Sequence, residues 1–470
     1  MSKNLQNLPA LAIIVPDGVG VKDFIYGKFC HELVKNYKLH IFHAVSPEHL
    51  DFLPTIEGVQ YHKLLKPSRN FLEYFIGQVL FFMHIHENYT PGRKFQNTFK
   101  LQGSRHSVIF RRFCDYASKL FASRNNLKRL DNLYYKCAKQ LPEVKLYQKL
   151  FKELKIEALF STHQRPRMAL PPTLAARENN IPAISFISSW DNVSSKGRII
   201  IPFDYFCVWN HHMATEMQRF YPDIPSSKVF VTGTNHFASP DKPLSREVFC
   251  DKIGLDKNRP FIYISTGRPS LLPKEHIYTK IVLDAIRQGL VDSKVQVVVR
   301  PSPGHREERF DNLMAEYPEL IVARPKWTQN QAPHYAPATP YPEDLLILDA
   351  LNRYCNLNIN TLSTMTLDVA IFDNPVINFF FDIVNEDESK SIRMLGFANM
   401  DHIQLIINSN ATKLATSPKN LIEAINIYLK DKTLHRQERR EMVSFHTEDM
   451  VDSANANIAN VITKILQKSK

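Results

Sequence analysis

Hydroxyl and carboxylate side chains are grouped in one stretch of the C-terminal half, residues 357–382, which reads LNINTLSTMTLDVAIFDNPVINFFFD. Ser363 and Thr364 precede an apolar segment of helical length, so we expect them to cap a helix that runs to about Phe372. The N-terminus of a helix presents unpaired amides and a partial positive charge, and both attract a phosphate. The sequence therefore predicts an anion site after a short strand.

Asp368 adds a carboxylate to this predicted site. It comes four residues after Thr364, so both side chains are expected on one helix face, about 6 Å apart along the axis. That separation suits a nucleotide whose diphosphate meets the helix N-terminus while its ribose hydroxyls meet the carboxylate. The alternative is an ordinary capped helix that carries a solvated Asp.

Two further loops of this half follow predicted strands. Thr266, Gly267 and Arg268 come directly after FIYIS, and Arg300 ends the strand VQVVVR. Loops at the carboxyl ends of parallel strands meet at one edge of the sheet, where such sheets bind ligands. Two arginines and a helix N-terminus at that edge would hold a diphosphate, because a guanidinium presents a fork of donors to phosphate oxygens.

Apolar strands and helices alternate along the chain and must position these residues. LAIIV at 11–15, a glycine turn, a helix expected over 22–36 and a second strand form the opening of a doubly wound sheet. Gly18 and Gly20 lack a third glycine, so they are a weak dinucleotide fingerprint. We expect an N-terminal domain over 1–235, a linker over 236–258, a C-terminal domain over 259–445, and a C-terminal helix over 446–470 that packs back on the first domain.

Residues 69–152 show helical patterns and are expected to form an insertion in the first domain. Between Arg93 and Lys152 the sequence has fifteen Lys or Arg residues against three acidic ones, with aromatic residues interleaved. Such a segment could contact anionic lipid, a phosphorylated acceptor or nucleic acid. The alternative is a set of helices with basic outer faces and aromatic inner faces.

Length and composition indicate a cytoplasmic globular protein. The 470 residues suffice for two or three domains, and 44% are hydrophobic against 23% charged, with a formal net charge of +12. The six cysteines show no CxxC pair, which fits a reducing compartment and argues against disulfides or a thiolate zinc site. The apolar start is too short for a signal peptide, and the run 71–89 is too polar to span a membrane.

Two histidine pairs raise the question of a metal. His84 and His86 stand beside Glu87, and His211 adjoins His212, but neither pair has a further ligand at metal-site spacing. We therefore expect no bound metal.

Taken together, the motifs resemble those of nucleotide-sugar glycosyltransferases with the GT-B fold. The resemblance extends to bacterial surface-polysaccharide enzymes and to CDP-glycerol glycerophosphotransferase-like proteins. It rests on Ser363, Thr364, Asp368 and Pro375, spaced S-T-x-x-x-D-x(6)-P, and on the segments SWDN and SKG at 189–197 and VTGT at 231–234. It implies an α/β protein with two Rossmann-like doubly wound domains that face a cleft, the acceptor bound by the first and the nucleotide sugar by the second.

Particular roles follow from the resemblance. Ser363 and Thr364 would contact the diphosphate and Asp368 the ribose, while Arg268 and Lys274 resemble an Arg and Lys pair of these enzymes. No catalytic metal is implied.

Two departures from the family pattern also bear on the function. Arg300-Pro301-Ser302-Pro303 stands where glycerophosphotransferase-like sequences show Arg-x-His-Pro, which argues against polyol-phosphate transfer. Asn360 stands where many retaining members carry an acidic residue.

An inverting transfer also needs a base for the acceptor hydroxyl and neutralisation of the leaving diphosphate. The candidates are Asp17 after the first strand, His163 after ALFST and Asp191 in SWDN. The resemblance favours Asp17, because the first-strand loop faces the cleft in this fold. The structural alternatives are a turn-forming Asp17 and an Asp191 that binds its own loop.

The expected function is transfer of a sugar from a nucleotide sugar, with UDP favoured, to a glycan or lipid-linked acceptor in surface polysaccharide biosynthesis. No cofactor beyond this donor and no nucleic acid partner are expected. Such an enzyme would be cytoplasmic and peripheral on the inner face of the membrane, with residues 93–152 against anionic lipid. The alternatives are a UDP-GlcNAc 2-epimerase-like epimerase, a CDP-glycerol-type polyol-phosphate transferase, or a non-enzymatic module that binds anionic lipid or nucleic acid.

Overall fold

The computed structural model describes residues 8–68, 70–94, 104–267, 269, 272, 274–303, 309–328, 338–383, 396 and 398–469. The described chain forms two compact units. The first contains the residues up to His236 and those from Thr447 onward, and the second contains those between Phe237 and His446 except for 338–339.

The first unit is built on a sheet of seven parallel strands in the order β3-β2-β1-β4-β5-β6-β7. The run ALAIIV forms the central strand β1, and all six of its side chains are buried, as expected for a parallel strand with both faces covered. The strands are β1 (Ala10–Val15), β2 (Lys38–His43), β3 (Val59–Lys63), β4 (Ile156–Ser161), β5 (Ala183–Phe186), β6 (Tyr205–Val208) and β7 (Val229–Val231).

Helices cover this sheet, and the helical character expected for the region 69–152 is confirmed where the structure describes it. No helix in the described ranges is both long enough and apolar enough to cross a membrane. The α-helices of five or more residues in this part are Phe29–Leu33, Phe71–Glu87, Arg105–Phe121, Arg124–Ala138, Pro142–Glu153, Leu170–Glu178 and His211–Phe220.

The single helix expected over 22–36 is wrong. The chain instead forms a helical turn at Gly18–Gly20, a π-helix at Val21–Ile25 and, after a break, the helix Phe29–Leu33. The turn begins early because the Asp17 carboxylate accepts a hydrogen bond of 2.8 Å from the Gly20 amide. The break contains Gly27, a poor helix former, and it lets Phe29 meet the Phe24 ring edge-on at 5.0 Å in the core.

The C-terminal helix Ala454–Ser469 belongs to the first unit. The Thr463 hydroxyl lies 2.6 Å from the Tyr37 hydroxyl, and the Asn457 amide donates to the Thr232 carbonyl at 3.2 Å. The C-terminal helix is therefore bonded to segments of the first unit that lie more than two hundred residues earlier in the chain.

The second unit contains a sheet of six parallel strands in the order β10-β9-β8-β11-β12-β13. One face carries Ile262, Ile359 and Ile377 in a buried cluster, and the opposite face carries Phe261 and Val376 in another. The strands are β8 (Phe261–Ser265), β9 (Gln296–Arg300), β10 (Ile321–Val322), β11 (Leu357–Asn360), β12 (Val376–Phe379) and β13 (Lys413–Ala415).

The helices of the second unit correct two sequence-based boundaries. The stretch 236–258, expected as a linker, contains the helix Arg246–Ile253, whose Phe249 side chain is buried in the core of this unit. The helix after the Ser363 loop is only six residues long and does not reach Phe372. The helices are Arg246–Ile253, Glu275–Arg287, Arg309–Glu316, Pro342–Tyr354, Met365–Ala370, Asp401–Asn408, Pro418–Lys430 and Arg436–Thr447, of which only the last residue, Thr447, is counted with the first unit.

Both predicted α/β halves are thus present as parallel, doubly covered sheets. The predicted strands FIYIS, VQVVVR and LNIN are adjacent in the second sheet, in the order β9-β8-β11. Their carboxyl ends therefore do meet at one edge, as the sequence indicated.

Candidate functional site

Four polar side chains cross the second sheet in one straight row at the carboxyl ends of its central strands. Arg300, Ser265, Asn360 and Asn378 are successive register partners on β9, β8, β11 and β12. All four are buried. We call this set the polar row. Burying polar side chains costs free energy unless they form hydrogen bonds. The hydrogen bonds of the polar row therefore show which segments it holds in place.

Asn360 is the centre of the polar row. Its side-chain oxygen accepts from the Ser363 amide at 3.1 Å, the Ser363 hydroxyl at 3.2 Å and the Thr366 hydroxyl at 3.2 Å. It also lies 3.3 Å from the Asn378 amide nitrogen. The Asn360 amide in turn donates to Asn358 at 2.8 Å. One buried amide therefore fixes the loop that the sequence identified as an anion site.

The Ser363 loop differs in detail from the predicted cap. Thr364 is the N-cap residue, but its side chain makes no capping bond, and Asn360 binds the Ser363 amide instead. Leu362 has a φ of 35°, a left-handed conformation that is strained for a branched side chain. Ser363 and Thr364 are half-buried in this loop, and the Ser363 hydroxyl is already bonded to Asn360.

Glu275, which the sequence analysis did not single out, joins two of the predicted ligand loops. Its buried carboxylate accepts from the Gly267 amide at 2.7 Å and from the Thr361 hydroxyl at 2.7 Å. Arg309 lies 3.6 Å from it as counter-charge. The Gly267 amide is therefore already hydrogen-bonded within the protein. A carboxylate at the start of a helix after a strand was the available signal.

One predicted ligand residue, Lys274, directly precedes this carboxylate in the chain. Lys274 is the half-buried N-cap residue of the helix Glu275–Arg287. Arg268 lies outside the described residues.

Arg300 is buried and paired inside the protein. Its guanidinium donates to the Asp344 carboxylate at 2.7 Å, and the same carboxylate accepts from the Lys326 amide at 2.9 Å and from the Trp327 ring at 3.0 Å. Arg300 and Asp344 thereby hold the start of the Pro-rich loop 325–342 in place. Residues 329–337 of this loop lie outside the described part. This pairing does not favour the predicted contact between Arg300 and a diphosphate.

Asp368 is largely buried on the short helix that follows the Ser363 loop. Burial raises the pKa of the Tyr263 phenol, and the charges of Arg300 and Asp368 act on that pKa in opposite directions. Asp368 therefore lies near the phenol, on the face of the sheet that bears the polar row. Its backbone amide bonds to the Thr364 carbonyl at 3.1 Å, which confirms the one-turn separation predicted for these residues.

Several buried polar atoms at this edge have no hydrogen-bond partner among the residues that the structure describes. They are the Thr266 hydroxyl, the side-chain oxygen of Asn378 and the Ser302 hydroxyl. A buried polar atom without a partner is costly, and a bound ligand or water is the usual explanation. Thr266 follows β8, Ser302 follows β9 and Asn378 lies on β12 opposite Asn360, so all three belong to the edge at which we expect a polar ligand.

Asp17 and His163 meet at the corresponding edge of the first sheet. Asp17 follows β1 and His163 follows the neighbouring strand β4, and the His163 Nδ1 lies 2.6 Å from the Asp17 Oδ2. Burial would raise the pKa of Asp17, but His163 and the Gly20 amide outweigh burial, and the pKa is lowered. Asp17 is therefore an ionised carboxylate that orients an imidazole, as in other acid–base pairs.

Gly20 makes this approach sterically possible. A Cβ at that position would lie 2.6 Å from the Thr162 hydroxyl oxygen. Gly20 thus allows close contact between the turns that follow β1 and β4. This packing role explains one of the two glycines, Gly18 and Gly20, without a dinucleotide.

A second carboxylate–imidazole pair stands beside the first, and the sequence analysis missed it. The Asp23 carboxylate lies 3.1 Å from the His236 Nδ1 and 2.8 Å from the Lys22 ammonium. Burial would raise the pKa of Asp23, but Lys22 and His236 outweigh burial, and the pKa is lowered. Asp23 also acts electrostatically on Asp17, so the two pairs share one neighbourhood. No sequence spacing links residues 23 and 236.

Asp191 binds its own loop. Its carboxylate accepts from the Ser189 hydroxyl at 2.6 Å and the Ser195 hydroxyl at 3.0 Å, and it pairs with Lys196 at 2.9 Å. The half-buried Arg165 guanidinium holds the same loop by donating to the carbonyl of Asn192 at 2.7 Å. These contacts favour the structural alternative for Asp191 over a role as base.

The histidine pairs considered as metal ligands have other partners. His86 pairs with Asp115 at 2.8 Å, and His211 pairs with Glu448 at 2.7 Å. His84 is stacked on Tyr221 with ring centroids 4.9 Å apart. Among the described residues, no cluster of three or more His, Cys, Asp or Glu side chains is placed to hold a metal ion.

Comparison with known proteins gives matches in structure alone. The sequence matches no protein-family model and no curated protein. Among solved structures, a glycosyltransferase from Rickettsia africae is similar with a TM-score of 0.53 at 11% identity, over 98% of this chain and 99% of that one.

Two epimerases are similar to the same degree. UDP-GlcNAc 2-epimerase from Neisseria meningitidis, solved bound to UDP-GlcNAc, has a TM-score of 0.52 at 11% identity, over 97% of this chain and all of that one. The enzyme of the same name from Methanocaldococcus jannaschii has a TM-score of 0.51 at 12% identity, over 97% and 99%. With two parallel α/β sheets and full-length similarity to these structures, the chain has the GT-B fold.

Proposed function

We propose that this protein is a glycosyltransferase that moves a sugar from a UDP-sugar to a hydroxyl of a glycan or lipid-linked acceptor. The observation that carries the proposal is the contact between His163 and Asp17 at the carboxyl edge of the first sheet. Transfer with inversion needs one oriented base, and this pair supplies it.

His163 is the base in this proposal, and Asp17 orients it. With the Nδ1 hydrogen donated to Asp17, the Nε2 of His163 is left to accept the proton of the acceptor hydroxyl. The hydroxyl oxygen then attacks the anomeric carbon, and the bond between that carbon and the leaving diphosphate breaks. The Asp17 charge stabilises the imidazolium that forms. This assignment replaces Asp17 with His163 as the preferred base.

The second unit supplies the donor site in this proposal. Ser363 and Thr364 contact the diphosphate, and Asp368 contacts the ribose. The Thr266 hydroxyl, which has no partner among the described residues, adds a donor. We assign Lys274, at the start of the helix Glu275–Arg287, to the leaving group, because Arg300 is already paired with Asp344. The choice of uridine is supported by the structural neighbours whose names specify UDP-GlcNAc.

Epimerisation of a UDP-sugar is the second candidate function. It is favoured by the two adjacent imidazole–carboxylate pairs, His163 with Asp17 and His236 with Asp23, because an elimination and re-addition uses acid–base groups at the sugar ring. The structural similarity to UDP-GlcNAc 2-epimerases supports this candidate as strongly as the similarity to the Rickettsia enzyme supports the first.

Incubation of the protein with UDP-GlcNAc in deuterated water, without an acceptor, separates the two candidates. Proton NMR of an epimerase reaction shows a second UDP-sugar with deuterium at the inverted carbon. A transferase gives at most slow release of UDP. The variant His163→Asn serves as the matched control, because its loss of either signal ties the chemistry to this pair.

A further inference from the structure

The helix Arg105–Phe121 is turned with its small residues towards the protein. Cys114 and Ser118 are its buried residues. The Ser118 hydroxyl donates to the Val79 carbonyl of the helix Phe71–Glu87 at 3.0 Å. A helix of a soluble domain ordinarily buries its large apolar side chains, and this one does not.

The large apolar side chains of this helix form a stripe on the opposite face. Ile109, Phe113, Tyr116 and Leu120 are 67%, 59%, 68% and 64% exposed. Their spacing of four, three and four residues keeps them within about 60° of one another around the helix axis. Isolated exposed apolar residues are common, but a contiguous stripe marks an interaction surface.

Exposed aromatic residues of the neighbouring helix widen this surface. Phe71 is 75% exposed and Tyr74 is 45% exposed, and their rings lie 6.4 Å and 5.8 Å from that of Phe110. We call the four stripe residues together with Phe71 and Tyr74 the outward patch.

A line of basic residues runs beside the stripe. Arg105, Arg112 and Lys119 are exposed and follow one another at intervals of seven residues. At about 100° per residue, this line lies roughly 60° from the centre of the stripe on the same outer side of the helix. The charges are thus placed where headgroups would be if the stripe entered a bilayer.

We propose that the outward patch binds the surface of an anionic lipid bilayer, with the helix Arg105–Phe121 lying in the plane of the interface. Phe113, Tyr116 and Leu120 enter the boundary between headgroups and acyl chains, and the basic line contacts lipid phosphates. Aromatic and aliphatic residues with flanking Arg and Lys are typical of helices that lie in the interface. This proposal goes beyond the proposed function and does not rest on it.

Charge favours lipid over a second copy of this chain. A symmetric dimer through the outward patch would bring two basic lines towards each other, and like charges at close range oppose association. A bilayer that contains anionic lipid has the complementary sign. The basic line therefore decides between two occupants that the apolar stripe alone does not distinguish.

Co-sedimentation of the full chain with vesicles tests this proposal. We expect binding to phosphatidylcholine vesicles that contain phosphatidylglycerol, and weaker binding to pure phosphatidylcholine or at high salt. The pair Phe113→Ser and Leu120→Ser should lower the partition coefficient about tenfold or more. The pair Arg112→Ser and Lys119→Ser should lower it about fivefold per charge for anionic vesicles only.

Matched controls come from exposed residues of the second unit. Leu290 is 51% exposed and the Lys419 side chain is 85% exposed, so Leu290→Ser and Lys419→Ser make the same chemical changes elsewhere. Both should bind vesicles as the unmodified protein does. Unchanged thermal unfolding midpoints show that the patch variants remain folded.

Two results would overturn the proposal. One is equal co-sedimentation of the patch variants and the unmodified protein. The other is a dimer of the unmodified protein in sedimentation velocity without lipid that the Phe113 and Leu120 substitutions abolish, which would assign the patch to a second copy.

Discussion

The Nδ1 of His163 and the Oδ2 of Asp17 are 2.6 Å apart although 146 residues separate them in the chain. They meet because β1 and β4 are neighbouring parallel strands, so the turns after both strands lie at the same edge of the sheet. The carboxylate also accepts the Gly20 amide, which fixes its orientation before any substrate binds. This contact carries the proposed chemistry.

Substitution of His163 should separate the two possible bases. We expect His163→Asn to lower kcat by about 10²- to 10⁴-fold with the affinity for the donor unchanged, because only proton transfer is lost. Asp17→Asn keeps an oxygen that can accept the Gly20 amide, so it removes the charge and preserves the cap. Its kcat should fall as well, and steady-state kinetics with titration calorimetry for donor binding measure both effects.

The matched control for these variants is Asp191→Asn, whose kcat should remain within about threefold of normal because this carboxylate binds its own loop. Near-normal turnover of His163→Asn together with an inactive Asp17→Asn would return the role of base to Asp17.

Asn360 should couple loop geometry to donor binding. Asn360→Ala leaves the Ser363 amide and the Thr366 hydroxyl without their buried acceptor, so we expect a loss of about 2–4 kcal/mol in the free energy of unfolding. Because the loop then loses its fixed shape, the Kd for UDP should rise at least tenfold. Urea denaturation and calorimetry give the two quantities.

Asn374→Ala is the control for Asn360→Ala. Asn374 is also buried in the second unit, where its amide donates to the Asn352 carbonyl at 2.7 Å, away from the Ser363 loop. It should cost stability without a comparable change in the Kd for UDP. A similar Kd change in both variants would mean that donor binding follows overall stability alone.

Asp368 remains the predicted contact of the donor ribose. Asp368→Asn keeps the shape of the side chain and removes its charge, so we expect the fold to persist while the Kd for UDP rises about five- to fiftyfold. Calorimetry with UDP and with 2′-deoxy-UDP checks the role directly. A ribose contact requires that the variant and the deoxynucleotide show non-additive losses, and additive losses would remove this assignment.

Arg300 and Asp344 should behave as a structural pair. Arg300→Met leaves the Asp344 carboxylate buried and unpaired, so we expect a loss of about 3–5 kcal/mol in the free energy of unfolding. The double variant Arg300→Met and Asp344→Leu should recover a large part of that loss. If Arg300 instead binds the diphosphate, the double variant regains stability while its affinity for UDP stays at least tenfold reduced, which calorimetry would reveal.

His43 should make stability depend on pH. Burial and the nearby His62 lower the pKa of His43 to about 4. The unfolded state therefore binds protons at a higher pH than the folded state does, and stability that is present above about pH 6.5 is lost as the pH falls towards 4. Between pH 7.5 and 5 this group should account for about 2 kcal/mol.

Urea denaturation at those two pH values tests the prediction with His43→Gln. The difference in unfolding free energy between the two pH values should be smaller in this variant than in the unmodified protein. His31→Gln, which replaces an exposed histidine of the same unit, should keep the full difference. An undiminished difference in His43→Gln would exclude His43 as the source.

Local sequence determined the strands and the edges at which their loops meet. Apolar runs such as ALAIIV and FIYIS become buried parallel strands because a strand covered on both faces needs mainly apolar side chains. Loops that follow such strands share one edge, and this placed Asp17, Thr266 and Ser363 at candidate sites from the sequence alone.

Only the tertiary structure decided which groups pair across those edges. Strand order and register bring together residues that are 44 to 146 positions apart in the chain. The pairs are Asp17 with His163, Glu275 with Thr361, and Arg300 with Asp344. The periodicity of a segment carries no information on such partners. For the same reason, the sequence does not determine which face of a helix is buried. Tertiary packing exposes Ile109 and Phe113 and buries Ser118.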